Sequence, residues 1–307
     1  MMKLTKIMIC AIVLMIHTLV SLGQTLTVAN VDTDPKTVAI GFVDMVSDNV
    51  ESVVFGNPAV MSFSNFKAEV AGSYCYWQPD AFREHRSYLS GAYKINDRWA
   101  VAAGLANGIG CPYDMYGKGA EFIGTYTPLN FHFKAGASYK MFSYMSLGIN
   151  VGFVDNIMTP QFANMAFLTD LFVMSSIANF KVAVGGRNIG VAWTSDGTTL
   201  GDLPFTASAG ASYGMSFNEI HDIGVYVQYD FTRADAMSTS IGASYSYRDF
   251  LTLRAGGRIG IEKIQSLATL GCGLDLNSFE INVAYVLPIQ DMVLSDTISV
   301  SVVYSIQ

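Results

Sequence analysis

The chain has 307 residues, of which 51% are hydrophobic and only 14% charged, and its formal net charge is −7. A soluble domain of this size carries about 25% charged residues, and an acidic chain with so few bases is excluded as a nucleic-acid partner. No stretch beyond the N-terminus has the ~20 uninterrupted apolar residues of a membrane helix, so the apolarity must be accommodated in another way.

Residues 1–23 read as a signal peptide. Lys3 and Lys6 supply the positive start, Ile7 to Val20 the apolar run, and Ser21 and Gly23 the small residues before cleavage, which leaves Gln24 as the new N-terminus. Residues 24–65 read as a plug segment. Asp34-Pro35 starts a short helix, because Asp caps and Pro suits the first helical position. Val38, Phe42, Met45 and Val46 then fall on one face at helical spacing, with Asp44 and Asp48 off it. The stretch Asn49–Phe63 is the pivot into the first strand. Its Gly56-Asn57-Pro58-Ala59 reads as a turn, since Pro pushes the preceding residue out of the helical region.

Residues 66–307 read as a transmembrane antiparallel β-barrel. From Phe66 the period becomes two: Phe66, Ala68, Val70, Gly72, Tyr74 and Tyr76 alternate with Lys67, Glu69, Ala71, Ser73, Cys75 and Trp77. Charge decides the faces, because a Lys toward lipid near the midplane costs ~2–4 kcal/mol. The same test turns His132 and Lys134, Arg254 and Arg258, and Glu280 and Asn282 inward. The expected strands are 67–78, 86–95, 98–107, 120–127, 130–140, 143–154, 164–175, 178–188, 203–213, 221–231, 236–247, 250–259, 267–276, 279–287 and 296–305. Bacterial barrels have even counts. The segment 120–127, with Gly-rich residues before it and Pro128 after it, is the one to set aside, which leaves about fourteen strands.

Catalytic chemistry is not expected. His85, His132 and His221 are scattered and none has a partner at metal-ligand spacing. Cys75, Cys111 and Cys272 form no metal pair and read as free thiols, with a Cys75–Cys111 bridge left open. No cofactor and no metal is implied. The inward charges Lys134, Lys181, Arg187, Asp230, Arg254, Arg258 and Glu280 read as a lumenal network that closes the bore, paired with one another and with the plug. Arg187, bracketed by Gly185-Gly186 and Gly190, is placed to clamp the plug through a forked contact with Asp44 or Asp48.

The acidic N-terminal segment running into Asn57-Pro58-Ala59, the Arg187-Asn188-Ile189-Gly190 strand end and the Leu253-Arg254-Ala255-Gly256-Gly257 strand together resemble the PorV/PorQ family of Bacteroidetes outer-membrane barrels, which is related to the FadL transporter fold. The resemblance implies a fourteen-strand barrel with an N-terminal plug. It also implies a role in type IX secretion, with outer-membrane lipid, cargo bearing a C-terminal signal domain and other secretion components as partners. Two other functions fit the residues: a FadL-like channel for hydrophobic small molecules, and a structural envelope scaffold. The channel would need an apolar pocket near the outer mouth and a strand kink as lateral exit.

Overall fold

The computed structural model describes residues 34–77, 83–159, 162–200, 203–218, 220–233, 236–261, 264, 266–288 and 297–306. The expected signal peptide and residues 24–33 of the plug lie outside them. Two short helices, α1 (Pro35–Ala39) and α2 (Val50–Phe55), and a 3-10 helix (Pro58–Phe63) come first. The strands follow: β1 Ala68–Trp77, β2 Glu84–Lys94, β3 Trp99–Ile109, β4 Tyr113–Tyr116, β5 Phe122–Tyr126, β6 Leu129–Phe142, β7 Met145–Thr159, β8 Phe162–Ile177, β9 Phe180–Thr194, β10 Thr199–Leu200, β11 Thr206–Phe217, β12 His221–Thr232, β13 Ala236–Tyr247, β14 Leu251–Ile261, β15 Leu267–Leu276, β16 Phe279–Pro288 and β17 Thr297–Ile306.

Fourteen of these strands close an antiparallel barrel, with β17 paired to β1. β10 is a two-residue appendage on β9, and β4 and β5 form a separate hairpin beyond the ends of β3 and β6. The segment set aside on the even-count rule is one arm of that hairpin. The six connections at the end that holds the start of β1 and the end of β17, including 143–144, 178–179 and 277–278, are all short, whereas those at the opposite end vary widely in length. The end with the short connections is the turn side, which faces the periplasm in such barrels; the opposite, loop side faces outward.

Alternation sorts the side chains as the cost of lipid-facing charge requires. Outward at the waist stand Leu105, Val151, Val184 and Ile241, half exposed. Lys134, Arg254 and Glu280 turn into the lumen, with side-chain exposures of 1%, 10% and 20%. Lys67, expected inward, is instead exposed at the turn-side rim, 5.1 Å from the Tyr93 ring, because the strand begins only at Ala68. Trp99, Tyr139, Tyr144, Tyr247, Phe279 and Tyr304 line that rim on the outside, the place where amphipathic rings meet headgroups. His221 belongs to this girdle, stacked on Tyr245, and His85 lies on the outside near the other rim between Tyr74 and Tyr76. Cys75, Cys111 and Cys272 form no disulfide among the described residues.

Residues 34–66 run inside the barrel. Asp34 caps α1 by accepting the N–H groups of Lys36 and Thr37. The helix ends at Ala39, however, and Gly41 (φ 81°) and Phe42 (φ 70°) reverse the chain. The single helical face expected from Val38 to Val46 is therefore split. Val38 and Phe42 pack on Leu267, Ala284 and Val286, while Met45 and Val46 join a second core. The reason is close approach: Ile40 and Gly41 lie so near the wall that a Cβ at Gly242 or Gly256 would strike their backbone, and a continued helix would not fit. Asn49–Phe63 also differs from the expected turn. Asn49 accepts the Ser52 N–H (3.1 Å) to cap α2, and Asn57 accepts the Ala59 N–H (3.0 Å) to start the 3-10 helix with Pro58 in its first position. Asn-Pro begins a helix here, because a cap and a fixed φ suit a helix start as well as a turn.

Candidate functional site

Two features of the lumen bear on function: the fastening of the plug and a break in the wall. The fastening is made of separate contacts. Arg187 forks onto Asp44, with both N···O distances 2.5 Å, and Gln228 Nε2 donates to the same carboxylate at 2.9 Å. Gln228 Oε1 in turn accepts the backbone N–H of Asp44 and Met45, both at 3.0 Å. Asp48 meets Lys181 at 3.4 Å. Glu280 meets Lys36 of the plug at 2.5 Å and Arg254 at 3.5 Å. Arg258 stacks over the Phe42 ring at 4.4 Å. Asp230 accepts from Ser208 and Gln228. Lys134, 1% exposed, donates to Asp170 (2.6 Å) and to the carbonyl of Phe55 at the end of α2 (3.0 Å).

Asn57 is also structural, since its Nδ2 donates to Met45 O at 2.7 Å, and the carbonyl of Ala59 accepts from Ser146 at 2.8 Å. The expected charges thus divide into local groups, and neutral residues missed by a search for charge, Gln228, Ser146, Asn150 and Thr269, tie the plug's backbone. Their only sequence signal was inward parity. Below the plug, on the turn side, a polar vestibule of about 380 Å³ remains, lined by Lys36, Asp48, Lys181, Tyr226 and Arg254 with several serines.

The wall break lies at β9. Thr169 on β8 pairs with Ile189, but Leu171 pairs with Gly186, so Arg187-Asn188 stand opposite the single residue Asp170. Such a bulge bends the strand and removes a rung. Asn188 has φ 58°, and its N–H donates to Asp170 Oδ1 at 2.8 Å. On the other edge, the ladder from β9 to β11 stops at Arg187–Thr206 although β9 runs on to Thr194. Leu203 to Phe205 stand where rungs would be. Asn188 Nδ2 donates to Pro204 O (3.2 Å), and the Phe205 ring lies over Gly186. Leu203, 3% exposed, packs with Val154, Ala166, Leu168 and Ala192 in an apolar cluster on the loop side of the plug. Asp196 braces the turn that leads into this segment. Hydrogen bonds from the Thr194 hydroxyl and the Thr198 N–H hold its carboxyl below the usual range.

The arrangement separates two environments. The axis is occupied by a plug held through buried charges, and removing one partner of such a pair costs ~3–5 kcal/mol. Among the described residues, the side wall beside β9 keeps two rungs to β10, at Ala192 and Trp193, and between these and Arg187 it meets Leu203–Phe205 through the Asn188 side chain and apolar contact. An apolar solute at the loop-side mouth would meet the second barrier first.

No protein-family model and no curated protein matches this chain. Solved structures do. The Pseudomonas putida toluene transporter TodX is 15% identical with a TM-score of 0.60, covering 88% of this chain and 96% of its own. The Ralstonia pickettii toluene transporter TbuX is 14% identical with a TM-score of 0.63, covering 89% and 97%. A Pseudomonas aeruginosa FadL homologue is 12% identical with a TM-score of 0.58, covering 90% and 98%. The fold is thus that of the FadL-like outer-membrane barrels.

Proposed function

We propose that the chain is an outer-membrane channel for hydrophobic small molecules, which enter at the loop-side mouth and leave through the wall beside β9. The observation that carries this reading is the ladder lost above Arg187 and replaced by Leu203–Phe205. A bulged strand and a buried apolar cluster that Leu203 fills lie side by side at that point, and both support a lateral exit there. Structurally similar barrels described as toluene transporters support the same class of cargo.

The test is uptake of radiolabelled toluene by Gram-negative cells that lack a channel of their own. Cells are needed because a plain phospholipid bilayer is no barrier to toluene. Cells expressing the chain take up toluene faster than control cells, and Leu203→Ala raises the rate further. Uptake at the control rate by cells with folded protein in the outer membrane would end the proposal.

A role of the PorV/PorQ kind in type IX secretion or surface attachment is the second reading, and it has one observation in its favour. Hairpin β4–β5 leaves Tyr116, Phe122 and Ile123 61%, 57% and 65% exposed on the loop side, where a cargo domain could dock. A pull-down from native outer membranes that brings down a protein with a C-terminal signal domain would favour it; lipid alone would not.

A further inference from the structure

The loop-side mouth carries more than apolar surface. β2 turns Arg86, Tyr88 and Ser90 inward, and β6 turns Asn130, His132 and Lys134 inward. Between them β3 presents only Gly104, Ala106 and Gly108 on that face, since these are the residues in register with both rows. The result is a furrow floored by β3. Phe55 of the plug closes its lower end, with ring centroids 5.3 Å from Tyr88 and 5.4 Å from His132. Glu84 and Asn130 bridge its upper end across Gly108.

Four buried polar atoms around this furrow have no hydrogen-bond partner: His132 Nε2, Arg86 Nη1, Ser73 Oγ and Ser90 Oγ. His132 and Arg86 are 7% and 6% exposed. Each such atom costs ~1–3 kcal/mol if nothing meets it, and here they share one wall. The need is for hydrogen bonds and not for charge. Arg86 already places Nε and Nη2 on the Glu84 carboxylate, so an anionic ligand would meet a second anion there. The same row of the wall continues without a break into the apolar cluster, because His132 pairs with Val154, Val154 with Ala166 and Ala166 with Ala192.

Resting on the channel reading, we infer that the mouth selects an uncharged amphiphile, an apolar body with one hydroxyl or carbonyl. The body takes the place of Leu203, and the polar group meets His132 and Arg86. A site with buried polar groups rejects an analogue that leaves them unpaired.

The test is equilibrium binding of three probes of one shape to the detergent-solubilised full chain: p-cresol, toluene and 4-methylbenzoate. We expect p-cresol to bind roughly tenfold more tightly than either of the others. His132→Phe, a substitution of small change in volume, reduces that preference and leaves toluene binding in place. Equal binding of toluene and p-cresol assigns the four atoms to water and overturns the inference, with the channel reading left standing. Tighter binding of 4-methylbenzoate overturns it in the same way. Failure of all three probes to bind removes both readings.

Discussion

At the scale of single residues, the plug is held by charges that alternation obliges to face inward. Lys134 and Asp170 are the most buried of them, at 1% and 0% exposure. Lys134→Met leaves Asp170 unpaired and is expected to lower stability by ~3–5 kcal/mol, read as the unfolding midpoint of the detergent-solubilised barrel. Adding Asp170→Leu removes the stranded charge and restores part of the loss; a double variant no better than the single would show that charge is not the cause. Arg187→Ala strands Asp44 in the same way. It should free residues 34–66 for proteolysis and raise ion conductance in planar bilayers, whereas an equally protected plug would rule out the clamp. Inward parity was readable from sequence for these charges. Which carboxylate Arg187 meets was not: Asp44 and Asp48 are four residues apart, and only the chain reversal at Gly41-Phe42 puts the first beside Arg187 and the second beside Lys181. Gln228 was legible as an inward residue, but its two bonds to plug N–H groups depend on a backbone path that periodicity does not encode.

At the scale of elements, the strands were readable because lipid and lumen impose period two on every one of them. The segment 120–127 also reads as a strand, and the even-count rule, the Gly-rich residues before it and Pro128 after it removed it from the barrel. As hairpin β4–β5 lies outside the closed ladder, deleting residues 112–126 and joining the ends with a short Gly-Ser linker should leave heat-modifiable migration on gels unchanged. A barrel that no longer folds would place the hairpin in the structure's foundation. The plug helices were harder to read, since helices of five or six residues show hardly more than one turn of periodicity. The break at β9 left a faint trace, the glycines around Arg187. These suggested a bend, but not that the ladder to β11 would end there.

At the scale of the whole molecule, the proposed route avoids the firmly fastened axis and uses the stretch of side wall that lacks β9–β11 rungs. The central claim is that cargo crosses the wall where Leu203–Phe205 replace the β9–β11 rungs. It is tested most directly by tying that segment to the strand. Cysteines are placed at Asn188→Cys and Pro204→Cys, with Cys111→Ser and Cys272→Ser to remove the exposed thiols, and the pair is bridged in cells taking up labelled toluene by a short bis-methanethiosulfonate, from which each thiolate displaces one methanesulfinate to form a reducible disulfide. The account predicts uptake at the control rate while the bridge is closed and recovery when it is reduced. Uptake that continues undiminished through the bridged protein would contradict it.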